Sequence, residues 1–406
     1  MLVNFSIENF GPYRDEMTFS MEATHLSDST EAYVKFNRSN RKILKCATLF
    51  GANASGKSYL FDAIGALQSI LSEIRPKGMS VPAYIPFRLS RETLASPSTI
   101  RIEVIKEEIL YRYSISYTSQ RITEESLYHS PKGRMVPYFI RSKRNEGMDG
   151  DIKKRLTDSS AYLAVASAYN DDVCNKVLKE IMNIMLIHFT DQLSVFKSMK
   201  YSEDNNNIKE KILRALYAAD LGISDFVGEE KKLNNGMDRA RTYSDNGPKS
   251  PVYLDIKFIH QFKDVDVDKE LMAFPINIES NGTVEMFALM GPIAKALDEG
   301  RTVFIDEFGA DLHPMLTRWI VGLFNTDANE NGAQLIVNTH DISLMDIRDL
   351  FRRDQIWFSN KDRRNGSCEI YSLSDFKGVL KDSDIRQEYL MGRYDALPWM
   401  IERHSI

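Results

Sequence analysis

Residues Gly51-Ala-Asn-Ala-Ser-Gly-Lys-Ser58 satisfy the spacing G-x-x-x-x-G-K-[ST], and each fixed position has a chemical task. Gly51 and Gly56 let the backbone turn tightly, so that successive N–H groups face phosphate oxygens. Asn53 and Ser55 lie within that turn and join the same binding set. Lys57 carries a positive charge to the β- and γ-phosphates, and the hydroxyl of Ser58 is a ligand for Mg²⁺. The spacing predicts binding of a nucleoside triphosphate.

Three later segments supply partners for that chemistry. Thr302-Val-Phe-Ile-Asp-Glu307 is an apolar run closed by two acids. At the end of a buried strand, Asp306 would serve Mg²⁺ and Glu307 would polarise the attacking water. Gln334-Leu-Ile-Val-Asn-Thr-His340 is a second apolar run, ending in a histidine that could bond the γ-phosphate and sense its loss. Glu279-Ser-Asn-Gly-Thr283 opens the helical run Val284-Glu-Met-Phe-Ala-Leu-Met290. Taken alone, Ser280 reads as a helix N-cap. Placed after a P-loop and before the acid pair, Ser280 and Gly282 read as a second anion site at a helix N-terminus. One nucleotide does not need two cradles. Two chains facing head to tail do, each offering Ser280 and Gly282 to the γ-phosphate held by the other.

The elements that must position these residues are legible around them. Cys46-Ala-Thr-Leu-Phe50 reads as a strand entering the P-loop, and Tyr59 to Leu71 has helical apolar spacing after it. Met1 to Phe10 alternates as a strand. Alternation returns in Ile100 to Ile105, Tyr111 to Tyr117 and Arg121 to Tyr128, which predicts antiparallel strands. From about 155 to 227 the period is helical, including Val173 to Leu186 and Ile208 to Leu216. Glu229 to Ser250 is polar and reads as a loop or tip, and strand character resumes at Val252. No internal repeat or sustained heptad pattern appears.

Bulk properties narrow the class. The chain has 406 residues, 43% of them hydrophobic, and a net charge of −5. This argues against a protein that coats nucleic acid, while a local basic face stays open; Arg141, Lys143, Arg144, Lys153, Lys154 and Arg155 are the best cluster for one, and a solvated charged loop is the plainer reading. Cys46, Cys174 and Cys368 form no pair motif, so a disulfide scaffold or zinc site is not expected and a reducing cytoplasm is the natural home. No apolar run approaches the roughly 18 residues of a membrane helix.

The order P-loop, S-x-G, acid pair, His resembles ABC-type ATPase heads of the SMC/RecF-like branch, and more closely the bacterial AbiL/Rlo-type ATPases of phage-defence loci. Phe5-Ser-Ile-Glu-Asn-Phe-Gly11 is similar to the opening strand of that family. Glu279 to Thr283 with Gly291-Pro-Ile-Ala-Lys-Ala-Leu297 is similar to its signature helix, Asp306-Glu-Phe with Leu312-His-Pro314 to its Walker B segment, and Gly392-Arg-Tyr-Asp-Ala-Leu-Pro398 to its ending. The likeness covers the two core halves and the tail. Thr283 stands where the ABC signature usually has a second Gly or a Gln, and Phe87 to Ser90, at the place of the Q-loop, contains no Gln.

The resemblance implies an α/β fold: an ABC-type P-loop NTPase head with a mixed sheet and an antiparallel β lobe, split by a mainly helical insertion. The expected division is 1–150, 151–250 and 251–406. It also implies Mg²⁺-dependent ATP hydrolysis, with Glu307, His340 and Lys57 catalytic, Gly51, Asn53, Ser55, Gly56, Lys57, Ser58, Ser280 and Gly282 holding ATP, and Ser58 and Asp306 holding Mg²⁺. The heads would dimerise around ATP and regulate anti-phage defence beside a separate effector encoded nearby. The helices of about 160 to 227 are expected to project from the head. A RecF-like DNA clamp is the alternative. A built-in nuclease is disfavoured, because only 66 residues follow His340, with scattered acids such as Asp375, Asp382 and Asp384.

Overall fold

The computed structural model describes residues 1–26, 31–142, 145–188, 192–219, 222–232, 252–261, 271–327 and 329–398. In chain order the first half contains β1 (Leu2–Glu8), β2 (Met17–Ser20), β3 (Tyr33–Phe36), β4 (Arg41–Leu44), β5 (Cys46–Gly51), α1 (Lys57–Leu71), β6 (Ser98–Lys106), β7 (Ile109–Tyr117), β8 (Ile122–His129) and β9 (Val136–Arg141). Then come α2 (Gly150–Arg155), α3 (Tyr162–Ala168), α4 (Asp172–Met182), β10 (Met185–His188), α5 (Gln192–Asp204), α6 (Asn206–Ala218), β11 (Ile223–Lys232), β12 (Val252–Gln261) and β13 (Leu271–Pro275). The last part holds α7 (Asn281–Glu299), β14 (Thr302–Asp306), α8 (Pro314–Phe324), β15 (Gln334–Asn338), β16 (Ile356–Lys361), β17 (Cys368–Ser372) and α9 (Ile385–Leu390).

Two six-stranded sheets carry the architecture, in the orders β2-β1-β6-β7-β8-β9 and β10-β14-β15-β5-β16-β17. The first is antiparallel throughout. The second is parallel from β10 to β16, with β17 antiparallel at its edge. The mixed α/β head expected from the sequence is therefore the fold, antiparallel lobe included.

Burial explains why the parallel strands read as unbroken apolar runs: both faces of that sheet are covered. Successive side chains point to opposite faces. Phe304 and Ile336 enter the core shared with α1 and the antiparallel sheet. Their neighbours Val303, Ile305, Leu335 and Val337 enter a second core with α6, α7 and α8. Helix α1 fills the space between the two sheets through Leu60, Phe61, Ile64, Leu67 and Ile70, and the Phe61 ring meets Phe304 edge-on at 5.2 Å.

Two expectations are corrected. The helical spacing of Val173 to Leu186 is helix only to Met182; Met185–His188 is β10, which pairs in parallel with β14 and places His188 opposite Asp306. The apolar spacing of a short buried strand cannot be told from the last turn of a helix. The helices of about 160 to 227 do not project either. Helices α3 and α4 pack into the first core, and α6 buries Ile208, Ile212, Ala215 and Leu216 in the second. Helix α5 crosses α7 where Gly291 has no side chain to keep Ser198 away. Pro292 inside α7 cannot donate to the carbonyl of Ala288 four residues back. The Ser198 hydroxyl donates to that carbonyl instead, at 3.0 Å. Of the polar stretch from Glu229 to Ser250, residues 229–232 belong to β11, and 233–250 lie outside the described residues.

Candidate functional site

Strand β5 delivers the P-loop at Gly51, whose backbone passes so close to the carbonyl of Ser359 that a side chain would collide with it. The turn continues through Ala54 at φ +62° to Gly56 at φ +100°, the N-cap of α1. Glycine has no side chain to cap with, so the first N–H groups of α1 stay available to an anion. Ser55 Oγ is buried and, among the described residues, has no hydrogen-bond partner. Such a hydroxyl, inside a loop where a Cβ at Gly51 would strike backbone and Gly56 adopts a left-handed φ, fits the triphosphate expected from the sequence. Lys57 is buried, and its ammonium donates to the carbonyls of Gly51 and Ala52, both at 2.8 Å. Burial pulls its pKa down to about 8, against the opposing pull of Asp306 and Glu307.

The acid end of β14 lies across from this loop, separated from β5 by β15. Ser58 Oγ donates to Asp306 Oδ1 at 3.0 Å, and the Asn338 amide donates to the same oxygen. His188 Nδ1 lies 3.4 Å from Asp306 Oδ2. Burial raises the Asp306 carboxyl, but the hydrogen bonds from His188, Asn338 and Ser58 win and hold it below the ordinary carboxylate value. Asp306 is thus ionised at neutral pH beside the Ser58 hydroxyl. These two oxygens suit a Mg²⁺ ion that takes its remaining ligands from phosphate and water. Among the described residues no group of three or more His, Cys, Asp and Glu could hold a metal by itself.

Glu307 follows at φ +55°, an uncommon conformation for a side chain of this size. Asn338 Oδ1 accepts its N–H at 2.7 Å and the carbonyl of Asn338 accepts the next one, from Phe308, at 2.9 Å. The Glu307 side chain is exposed beside the P-loop. His340 is exposed two residues past the end of β15. Burial and the charge of Lys57 lower its pKa while Glu307 raises it, so the imidazole is neutral at pH 7. The structure therefore gathers Lys57, Ser58, Asp306, Glu307 and His340 at one end of the parallel sheet.

Ser280 and Gly282 lie at the start of α7, against the loop that follows Glu307. Ser280 is the N-cap of α7, its Oγ accepting the N–H of Thr283 at 3.2 Å. A Cβ at Gly282 would lie 2.8 Å from the carbonyl of Asp311. Among the described residues no hydrogen bond joins either to the P-loop of its own chain. On the other flank of the P-loop is a cavity of about 1260 Å³ lined by Asn53, Ser55, Arg14, Phe87, Leu89 and Arg364, among others. The Q-loop position, Phe87 to Ser90, opens into it.

Sequence reasoning missed three participants. His188 closes Met185-Leu-Ile-His with the same strand-then-histidine pattern as His340, but helical spacing masked it. Asn338 ends β15 and is the first of three successive polar residues, with Thr339 and His340, and nothing in its type set it above its neighbours. Glu285, in α7, accepts the N–H groups of Gly309 and Asp311 at 3.1 and 2.8 Å; no sequence signal pointed to it. Among the described members of the basic cluster, Lys153, Lys154 and Arg155 are exposed on α2, while Arg141 does not join them. Arg141 turns inward to Glu125 and the carbonyls of Thr157, Asp158 and Ser160, Lys154 pairs with Asp151, and Arg155 lies over the Tyr169 ring. Lys143 and Arg144 lie outside the described residues.

The family described as "AAA domain, putative AbiEii toxin, Type IV TA system" matches residues 46–183 and 190–346, more than half of the chain and every motif from the P-loop to His340. The chain belongs to this family. It is accordingly an ATPase-type P-loop protein. No curated protein matches the chain. Solved structures similar to this AAA-domain protein include an SMC head bound to the C-winged helix domain of ScpA (15% identity, 91% of this chain and 97% of that one, TM-score 0.47). Others are the SMC head domain from Thermotoga maritima (14%, 91% and 98%, TM-score 0.41) and a Pyrococcus furiosus Smc head with an extended coiled coil bound to the C-terminal domain of ScpA (13%, 91% and 96%, TM-score 0.43). Among the described residues no helix is long and apolar enough to cross a membrane.

Proposed function

We propose that the chain is a Mg²⁺-dependent ATPase whose two sites are completed when two copies close around ATP, and that, as in the AbiL/Rlo-type proteins it resembles, it regulates anti-phage defence beside a separate effector. One observation carries the hydrolytic reading: Ser58, at the start of α1, donates to Asp306, at the end of β14, with Glu307 the next residue.

In this reading the N–H groups of the P-loop and α1 bind the phosphates, and Lys57 leaves its carbonyl partners to reach the β- and γ-phosphate oxygens. Ser58 and Asp306 would hold Mg²⁺, which when bound neutralises charge on those oxygens. The Glu307 carboxylate accepts the proton of the attacking water, and the neutral His340 donates one N–H to the γ-phosphate. Ser280 and Gly282, which make no hydrogen bond to their own P-loop among the described residues, serve the γ-phosphate of the second copy. The cavity bounded by Arg14, Phe87 and Leu89 takes the ribose and base, since the acids occupy the opposite flank. Membership in a family whose description names a toxin–antitoxin system supports a role beside a partner protein.

Phosphate release from ATP with and without Mg²⁺, together with sedimentation with and without ATP, tests the biochemical reading. Mg²⁺-dependent release by the wild type, and ATP-dependent dimers accumulating in Glu307→Gln and absent in Ser280→Arg, are expected. The absence of both phosphate release and an ATP-dependent mass change would end it. The defence role requires that a host carrying the chain with its neighbouring gene resist phage, and that Lys57→Ala remove the resistance.

A further inference from the structure

The loop after Glu307 is held at two ends. At its start Asn338 fixes the N–H of Glu307, and the Thr339 hydroxyl donates to the carbonyl of Phe308 at 2.7 Å. At its far end the two carboxylate oxygens of Glu285 accept one N–H each, Oε1 from Gly309 and Oε2 from Asp311. Glu285 lies in α7, five residues beyond Ser280. The same loop touches the beginning of that helix, because the carbonyl of Asp311 lies against the face of Gly282.

Glu285 is an expensive way to hold a loop. It is 5% exposed, and the charge that acts on it is the like charge of Asp311. Burial lifts its pKa to about 7, although both backbone N–H groups pull it down. A buried acid without a cation costs stability. An ionised carboxylate is, however, the side chain that offers two acceptors and no donor, so it can take both N–H groups at once. Its position, between the helix headed by Ser280 and the loop headed by Glu307, gives that cost a use.

We propose that Glu285 is a positioning residue for hydrolysis: it clamps the Phe308–Leu312 loop to α7 and so fixes Glu307 relative to Ser280 and Gly282. The proposal rests on the reading of Glu307 as the base. Through the clamp, engagement of Ser280 by the phosphate of a second copy is felt at the base of the first. Coupling of this kind needs a physical connection between the two sites, and the Glu285 carboxylate provides one.

The test uses the full chain as wild type, Glu307→Gln, Glu285→Gln and Glu285→Ala. In Glu285→Gln the amide keeps the size of the side chain but has one acceptor, so one loop N–H faces an NH₂ group. We expect kcat to fall about tenfold or more, since small displacements of a reacting group carry penalties of that order. ATP affinity and KM should stay within about twofold of wild type. Hydrogen exchange over 308–312 should accelerate while the rest of α7 stays protected. Glu285→Ala should lose at least as much kcat. Unchanged kcat in both variants, or loss of ATP binding in step with kcat, overturns the proposal. Absence of hydrolysis by the wild type, or a wild-type rate in Glu307→Gln, removes instead the reading on which the proposal rests.

Discussion

The side-chain carbonyl of Asn338 accepts the backbone N–H of Glu307 at 2.7 Å, while the amide nitrogen of the same side chain donates to Asp306. One residue of β15 thereby orients both Asp306, the last residue of β14, and Glu307, which follows it. It also holds Glu307 in the left-handed conformation at φ +55°. Backbone strain of this kind persists only where the surroundings impose it.

Asn338→Ala removes both bonds and frees Glu307 to relax toward ordinary φ values. Residues that orient metal ligands from the second layer typically carry about 10- to 100-fold in activity, and a loss in that range is expected in steady-state turnover. Asn338→Asp should do no better, because it places a second negative charge against Asp306 and cannot donate when ionised.

His188 reaches Asp306 from β10 at 3.4 Å, on the side opposite Asn338. Its removal should weaken the grip on Mg²⁺ rather than on ATP. In His188→Ala the Mg²⁺ concentration that half-saturates turnover is expected to rise about tenfold. Binding of ATP measured in EDTA should not change. Equal Mg²⁺ curves for variant and wild type would show that the bond to Asp306 is incidental.

Gly56 sits at φ +100°, and a Cβ there would lie 3.1 Å from Cys368 Cβ, Pro12 Cγ and the Tyr13 hydroxyl oxygen. Gly56→Ala should therefore cost both fold and function. A residue forced into such a region loses about 1–3 kcal/mol, readable as a lower midpoint in urea, and the distorted loop should bind ATP weakly. Gly322, where an added Cβ meets nothing within 4 Å, is the control. Gly322→Ala, inside α8, should be neutral or slightly stabilising.

Glu285 also makes stability depend on pH. Its folded pKa of about 7 lies above the ordinary 4.5, so the folded chain keeps a proton that the unfolded chain has released. Where the folded state binds more protons, stability falls as pH rises. The contribution is fully present below about pH 4.5 and is lost as pH climbs through about 7. Glu285→Gln cannot titrate. The difference in melting temperature between variant and wild type should therefore shift in favour of the variant from pH 5 to pH 8. A difference that does not move over this range would mean that Glu285 is ionised throughout.

Sequence alone determined the local chemistry. The P-loop was legible because a tight phosphate-binding turn leaves few residue choices at Gly51, Gly56, Lys57 and Ser58. Strands β5, β14 and β15 were legible because burial on both faces forces continuous apolar runs, and the polar residues Asp306 and His340 mark where those runs leave the core. Only the tertiary structure decided which distant residues complete the site. Spacing gave no hint that β10 is a strand, because four residues can satisfy either periodicity, and its place beside β14 is fixed by a parallel pairing across 117 intervening positions in register. Asn338 and Glu285 act through hydrogen bonds to backbone N–H groups, and such groups belong to every residue alike, so no side-chain pattern records them. Arg141 shows the converse: its type suggested a charged surface, but the carbonyls of Thr157, Asp158 and Ser160 that claim it come together only once the chain has folded.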